Sequence, residues 1–312
     1  MPISRDEPLA LNAVGSVVIR GLVKTQDGKK VSVQATRCKP PPLLAVHENH
    51  LYVRPDGFPP RVPDNLPGPQ DFRLELCIRK ELSSGRCGRV FLTSAMSLSD
   101  PSDPSDVMLS PAPPVLPQLV VKVARPKYTE SLSREAAAYH EMQAIQGVSI
   151  ARCYGWFEAE LDQDHLLYDD GESDDSDNDS SSNVHAASQS KAPQTNKVSF
   201  LVLERLGSKL EMFVNYAEDA DMYEVYEDLG FMGVDHADVR YANILKRPKL
   251  KSSRALPTLK CPYHNVVHHY RVVDFDRATK TDFTMRGYNA RTATDLGMLF
   301  EGIAHGGIIE PW

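Results

Sequence analysis

His236-Ala237-Asp238-Val239-Arg240-Tyr241-Ala242-Asn243-Ile244-Leu245 is the stretch on which the reading of this chain turns. A carboxylate and an amide five residues apart on one short loop can face a shared centre. The acid then points at a hydroxyl and the amide at a metal ion, which is the geometry phosphoryl transfer needs. Downstream, Val272-Val273-Asp274-Phe275-Asp276 ends a short apolar run in a carboxylate suited to the mouth of a cleft.

Working upstream, residues 217–229 carry helical character stopped by Gly230. Before them, Val198 to Glu204 reads as a buried strand and Arg205-Leu206-Gly207-Ser208 as a turn or hinge. Residues of about 158–197 are polar and Asp/Ser-rich, unable to bury enough surface to fold alone, and are expected to form a disordered insert. Ser173 and Ser176 lie among its acids, where phosphorylation or simple solubilisation are both open. A strand is expected over Ile150 to Phe157. Before it Leu132, Ala136, Tyr139 and Met142 recur at helical spacing, with Thr129 or Ser131 as N-cap, Gly147 as stop and Glu135 at the edge of the stripe.

Further upstream, Leu119-Val120-Val121-Lys122-Val123 is an apolar strand interrupted only by its lysine. A Pro/Ser/Asp-rich insert, residues 97–117, separates it from two strands around Ser83-Ser84-Gly85-Arg86-Cys87-Gly88-Arg89-Val90. Proline dominates residues 39–70, an extended connector with one possible strand at His50 to Val53. Residues 14–36 read as a hairpin about Gln26-Asp27-Gly28.

Each signal alone has an ordinary explanation: a turn, a snorkelling lysine, an exposed helical glutamate. Their order is more specific. A glycine turn, a lysine on the next strand, a glutamate on the next helix, Asp-x-x-x-x-Asn and Asp-Phe follow one another as in nucleotide-dependent phosphotransferases. On these residues the chain resembles the protein-kinase-like family over about Phe72 to Ile303.

The resemblance implies an α+β, two-lobed kinase-like fold. It has an antiparallel-sheet N-lobe (71–204), a shortened helical C-lobe (205–312) and an N-terminal hairpin and Pro-rich extension (1–70). It also implies roles: Gly85, Gly88 and Val90 cover ATP, Lys122 meets its phosphates while paired with Glu135, and Leu203 to Gly207, with Glu204 and Leu206, form the hinge that meets the adenine through backbone groups. Asn243 and Asp274 hold Mg²⁺, and Asp238 takes the acceptor's proton. Asp295 is expected near the start of a last helix, its carboxylate bonding the catalytic loop from below.

Where the family has glycine or arginine, this chain has Ser83, Ala237 and Asp276. Asp-Phe-Asp is similar to the ends found in small-molecule kinases, so the hydroxyl acceptor is a protein or a small molecule. Ala237 removes the cation that reads a phosphorylated activation loop. No Ala-Pro-Glu follows, and only residues 277–294 separate Asp276 from Asp295. A pseudokinase scaffold is the alternative to an active enzyme.

Composition bounds the rest. The chain has 312 residues, 41% hydrophobic, with a formal charge of -7. Residues 169–179 carry seven acids and no base, so the remainder is neutral and shows no nucleic-acid footprint. No apolar run suits a membrane span and the first residues lack signal-peptide order, which predicts a cytoplasmic or nuclear protein. Cys38, Cys77, Cys87, Cys153 and Cys261 are odd in number and form no C-x-x-C pair, as expected of free thiols. Cys261, His264, His268 and His269 have a spacing zinc can use. Without a second cysteine pair, a solvated loop running into a strand is the simpler reading.

Overall fold

The structure, a computed structural model, describes residues 7–48, 51–112, 115–162, 165–167, 197–248 and 256–309. Most of the acidic insert, with Ser173 and Ser176, therefore lies outside the described residues, as does His50.

In chain order the first elements are β1 (Val14–Thr25), β2 (Lys30–Cys38), β3 (Ala45–Val46), β4 (Phe72–Ser84), β5 (Gly88–Asp100), β6 (Asp103–Leu109) and β7 (Leu119–Ala124). There follow α1 (Thr129–Glu141), β8 (Cys153–Glu160), β9 (His165–Leu167), β10 (Lys197–Glu204) and α2 (Ala220–Phe231). The last are β11 (Val234–Asp235), β12 (Ile244–Lys246), β13 (Tyr270–Val272), β14 (Thr279–Thr281) and α3 (Met285–Ala304).

Seven strands close on themselves in the order β1-β2-β8-β10-β7-β5-β4, and β4 returns to β1 through a parallel ladder running from Val14 opposite Phe72 to Arg20 opposite Cys77. The N-terminal hairpin is thus no appendage. It supplies the two strands that turn an open sheet into a barrel, which removes the unpaired edges an open sheet would leave. Strands β9 and β6 add to β1 and β5 outside the ring.

Period-2 alternation sorts the side chains. Val121 and Val123 of β7 and Phe200 and Val202 of β10 join Ile19, Leu74, Phe91 and Phe157 inside the barrel. Val120 and Ala124 of β7 and Leu201 and Leu203 of β10 face outward into a second core with Ala136 and Tyr139 of α1. Lys122 shares the outward register of Val120 and Ala124, so the barrel wall presents it to α1.

These observations correct the expected fold. The described residues are mostly sheet, with a closed seven-stranded barrel and three α-helices, and the two-lobed kinase-like arrangement with a helical C-lobe does not hold. Physically, the difference lies in the segments read as irregular. The hairpin pairs over long sequence distances with β4 and β8. The Pro/Ser/Asp-rich insert contains the end of β5 and all of β6, and β8 and β10 extend to Glu160 and Lys197, into the stretch read as disordered.

After β10 the chain builds short pieces: β12 pairs with β13, and β11-β14-β3 form a small sheet. The Pro-rich connector is pinned here. Strand β3 lies parallel to β14, Arg54 N donates to Asp282 O at 2.7 Å, and Thr284 N donates to Tyr52 O at 2.7 Å.

Helix boundaries also differ from the sequence reading. Asp219 caps α2 by accepting from Asp221 N at 3.2 Å, and Gly230 lies inside the helix rather than after it. A Cβ there would stand 2.6 Å from the Tyr288 ring of α3, so the glycine permits the helices to pack closely. Helix α3 begins ten residues before Asp295, with Thr284 as its cap. Among the described residues no helix is long and apolar enough to cross a membrane. All five cysteines are free.

Candidate active site

A cavity of about 590 Å³ opens where the barrel wall meets the short elements of the second half, and Gly85, Gly88, Val90, Lys122, Glu135, Glu204, Leu206, Asp238, Asn243 and Asp274 all line it. Lys122 is a buried residue of its wall. Its Nζ stands 2.5 Å from Glu135 Oε2 and 2.6 Å from Asp274 Oδ1. Burial disfavours the ammonium, but these two carboxylates outweigh burial and hold Lys122 protonated well beyond the ordinary lysine range. Burial likewise pushes Glu135 up, against the pull of Lys122. For Asp274 the lysine prevails over burial and the carboxyl is lowered.

Two loops bring the acids together. Val273 N donates to Asn243 O at 3.0 Å, and the His236 Nε2–H donates to Val273 O at 3.0 Å. The Asn243 amide donates to Asp238 O at 3.0 Å and Oδ2 at 3.2 Å, which leaves its own oxygen as a ligand atom. Ala237 and Asp274 both adopt left-handed backbone, with φ of 55° and 67°. Such residues cost about 1–3 kcal/mol each and persist where surrounding contacts over-determine them. Those contacts are visible: Phe275 is fully buried, edge-on to Tyr139 of α1 at 5.1 Å and to His236 at 5.0 Å.

Carboxylate oxygens of Asp238, Asp274 and Asp276 lie within 4.8 Å of one another. Of these, Asp274 and Asp276 with the adjacent Asn243 amide oxygen form a set of hard donors that fits Mg²⁺, which prefers few protein oxygens and completes its shell with water and phosphate.

Several expected roles change. Glu204 is 2% exposed, and its carboxylate is committed to Arg152 at 2.8 Å and Arg271 at 2.6 Å, so its side chain serves the core. In the turn after it, Arg205 and Gly207 donate their N–H groups to Gln118 and Lys246 carbonyls, whereas the Leu206 N–H has no acceptor among the described residues. Gly88 is explained by the sheet: a Cβ would meet Val123 O at 2.4 Å. Val90 lies opposite Lys122 in the β5–β7 ladder. Asp295 makes no hydrogen bond to the Asp238 loop. Instead Asp235 accepts from Ala237 N at 3.2 Å and is itself held by Arg291 of α3 at 2.9 Å.

Four cavity residues had no assigned role from sequence. Arg240 and Arg277 approach Asp238 Oδ1 at 2.7 and 3.4 Å. The Cys87 thiol donates to Asp276 at 2.8 Å and Arg86 approaches the same carboxylate at 3.7 Å, tying the β4–β5 tip to the acid cluster. Burial and the adjacent Asp276 push the Cys87 thiol up to about 11. Arg240 and Arg277 flank recognised acids in sequence, and Arg86 and Cys87 lie between the two recognised glycines, which is the signal that marks them.

Compared with known proteins, the chain matches no family model and no curated protein.

Proposed function

We propose that the chain is an ATP- and Mg²⁺-dependent phosphotransferase that moves the γ-phosphate to a hydroxyl acceptor, with a set of reacting residues similar to that of protein-kinase-like enzymes. The observation that carries this reading is the convergence of Lys122, Glu135, Asp238, Asn243 and Asp274 on one cavity from four separate segments.

Asp274, Asn243 and Asp276 are the residues that would hold Mg²⁺, which when bound neutralises phosphate charge. Lys122, aimed by Glu135, places a fixed positive charge for the phosphates. The free Leu206 N–H and neighbouring carbonyls offer the adenine its hydrogen-bond edge. Asp238 accepts the proton of the acceptor hydroxyl, and Arg240 and Arg277 hold its carboxylate in orientation. The acceptor is a protein or small-molecule hydroxyl, and the proposed compartment is the cytoplasm or nucleus.

Purified full chain with ATP and Mg²⁺ is expected to turn over nucleotide. Asp238→Ala is expected to lower that rate about 10²–10⁴-fold, the usual contribution of a positioned acid or base, while nucleotide still raises the melting temperature. Equal turnover in both proteins would refute the assignment.

A second reading, a nucleotide-binding scaffold without turnover, is favoured by the pairing of Asp238 with two arginines. It predicts nucleotide-induced stabilisation of the wild type with no phosphate release.

A further inference from the structure

We propose that Asp228, Cys261, His264 and His268 form a zinc(II) site that fastens the loop before β13 to helix α2. Ligand atoms of these four residues lie within 4.8 Å of one another. Cys261 Sγ is 3.0 Å from Asp228 Oδ1 and 3.5 Å from His264 Nδ1. His264 Nδ1 is 3.1 Å from Asp228 Oδ1, and His268 Nε2 is 3.1 Å from Asp228 Oδ2. A tetrahedral ion with Zn–S near 2.3 Å and Zn–N or Zn–O near 2.0–2.1 Å sets its ligands roughly 3.3–3.6 Å apart. These four distances, 3.0–3.5 Å, lie at or just inside that spacing, within reach of a side-chain adjustment.

A buried hydrogen-bond network around Asp228 is the plainer account of these contacts, and two further observations exceed it. The first is the far side of each imidazole. His268 Nδ1 faces Asp221 Oδ1 at 2.8 Å, and His264 Nε2 faces Glu227 Oε2 at 3.1 Å. Both rings therefore turn one nitrogen to the cluster and give the other to a carboxylate, the arrangement that orients metal-bound histidines and strengthens them as ligands. Glu227 is in turn held by Asn289 at 2.7 Å.

The second observation is the environment of the sulfur. The backbone N–H groups of Tyr263 and His264 approach Cys261 Sγ at 3.3 and 3.4 Å. A neutral thiol is a weak acceptor, whereas a thiolate makes charge-assisted bonds with such donors. Asn265, at φ 57°, closes the turn that aims them, and its N–H returns to Cys261 O at 3.0 Å.

Sulfur, two imidazoles and one carboxylate suit zinc rather than magnesium or calcium. Metal binding displaces the Cys261 proton and replaces the thiol–carboxylate contact with two metal–ligand bonds. Asp228 is fully buried, Cys261 and His268 are 2% and 1% exposed, and His264 alone is partly exposed, so the site is largely closed, as in a structural site. His269, which shares the sequence pattern, is excluded: its ring is exposed, against Asp221 at 3.7 Å.

The test uses the full chain. Purified without chelators, it is expected to carry one zinc per chain by elemental analysis. Refilled with Co²⁺ after zinc removal, it is expected to show a thiolate-to-cobalt charge-transfer band and tetrahedral visible absorption. Cys261→Ser is expected to lose the charge-transfer band. Asp221→Asn is expected to keep the spectrum with an affinity lower by about 10–100-fold, as for a residue that only orients a ligand. Asp274→Asn, in the other cluster, is expected to retain the zinc. A wild type that takes up neither zinc nor cobalt through sulfur overturns the proposal even if no variant folds. So does full metal retention in the Cys261→Ser, His264→Ala double variant, or zinc loss in Asp274→Asn.

Discussion

Strand β13 separates two side-chain clusters of opposite character, one reached through His268 before it and the other through Asp274 after it. The Asp238–Asp274–Asp276 group is all oxygen and borders a cavity, and the Asp274 side chain is 39% exposed. The Asp228–Cys261–His264–His268 group mixes sulfur, nitrogen and oxygen, and its Asp228 and His268 side chains have no exposure at all. An open set of hard donors suits a ligand that enters and leaves. A closed mixed set suits an ion that stays, and the contrast assigns chemistry to the first and architecture to the second.

Substitutions should therefore separate turnover from stability. The largest expected effect falls on the open cluster: Asp274→Asn is expected to lower Mg²⁺-dependent turnover about 10²–10³-fold, the usual loss on removing one preorganised charge-stabilising group, as read by phosphate release at saturating ATP. Lys122→Met tests where the open cluster touches the core. It leaves the buried Glu135 facing Asp274 without their cation, and loss of one partner of a buried pair is expected to cost about 3–5 kcal/mol in urea unfolding. An unchanged unfolding midpoint would mean that solvent reaches the pair.

Beside the closed cluster, Gly230→Ala drives a methyl into Tyr288. It is expected to cost about 1–3 kcal/mol by overpacking with turnover per folded molecule unchanged. The smallest effect is electrostatic and lies in neither cluster. Burial pushes the Asp282 carboxyl up, but the Glu48 N–H at 3.0 Å and the His47 ring at 2.9 Å outweigh it and lower it. The stability this supplies is complete above the ordinary carboxylate range and is lost as pH falls through the lowered value. Asp282→Asn should flatten that acid limb of a melting-temperature profile.

What could be read from sequence was local. Asp238 and Asn243 share one loop, Asp274 stands two residues beyond a three-residue strand, and Lys122 is placed by alternation along β7, so short spacing alone carried the geometry. The fold was not local. Val14 pairs in parallel with Phe72 and Thr36 with Glu158, and nothing in hydrophobic periodicity announces which distant strand will close a barrel. Gly230 looked like a stop because its reason, the ring of Tyr288, lies on another helix. Asp228 was invisible as a ligand for a similar cause: it sits on α2, while its three companions lie together in a loop more than thirty residues later. Bracing was assigned to Asp295 when Asp235, adjacent to the loop, performs it through Arg291.

The proline-rich connector carries a mechanical consequence. It leaves the barrel at β2, is fastened at Lys280, Asp282 and Thr284, presses Pro59 against Gly233, and re-enters the barrel at β4. A belt buckled at several points along one body and sewn into the other at both ends resists rotation between them. Widening of the cavity then falls to the Ser83–Gly88 tip, whose latch is the Cys87 and Arg86 contacts with Asp276. Hydrogen exchange should find the fast amides at that tip, with the belt among the slow ones.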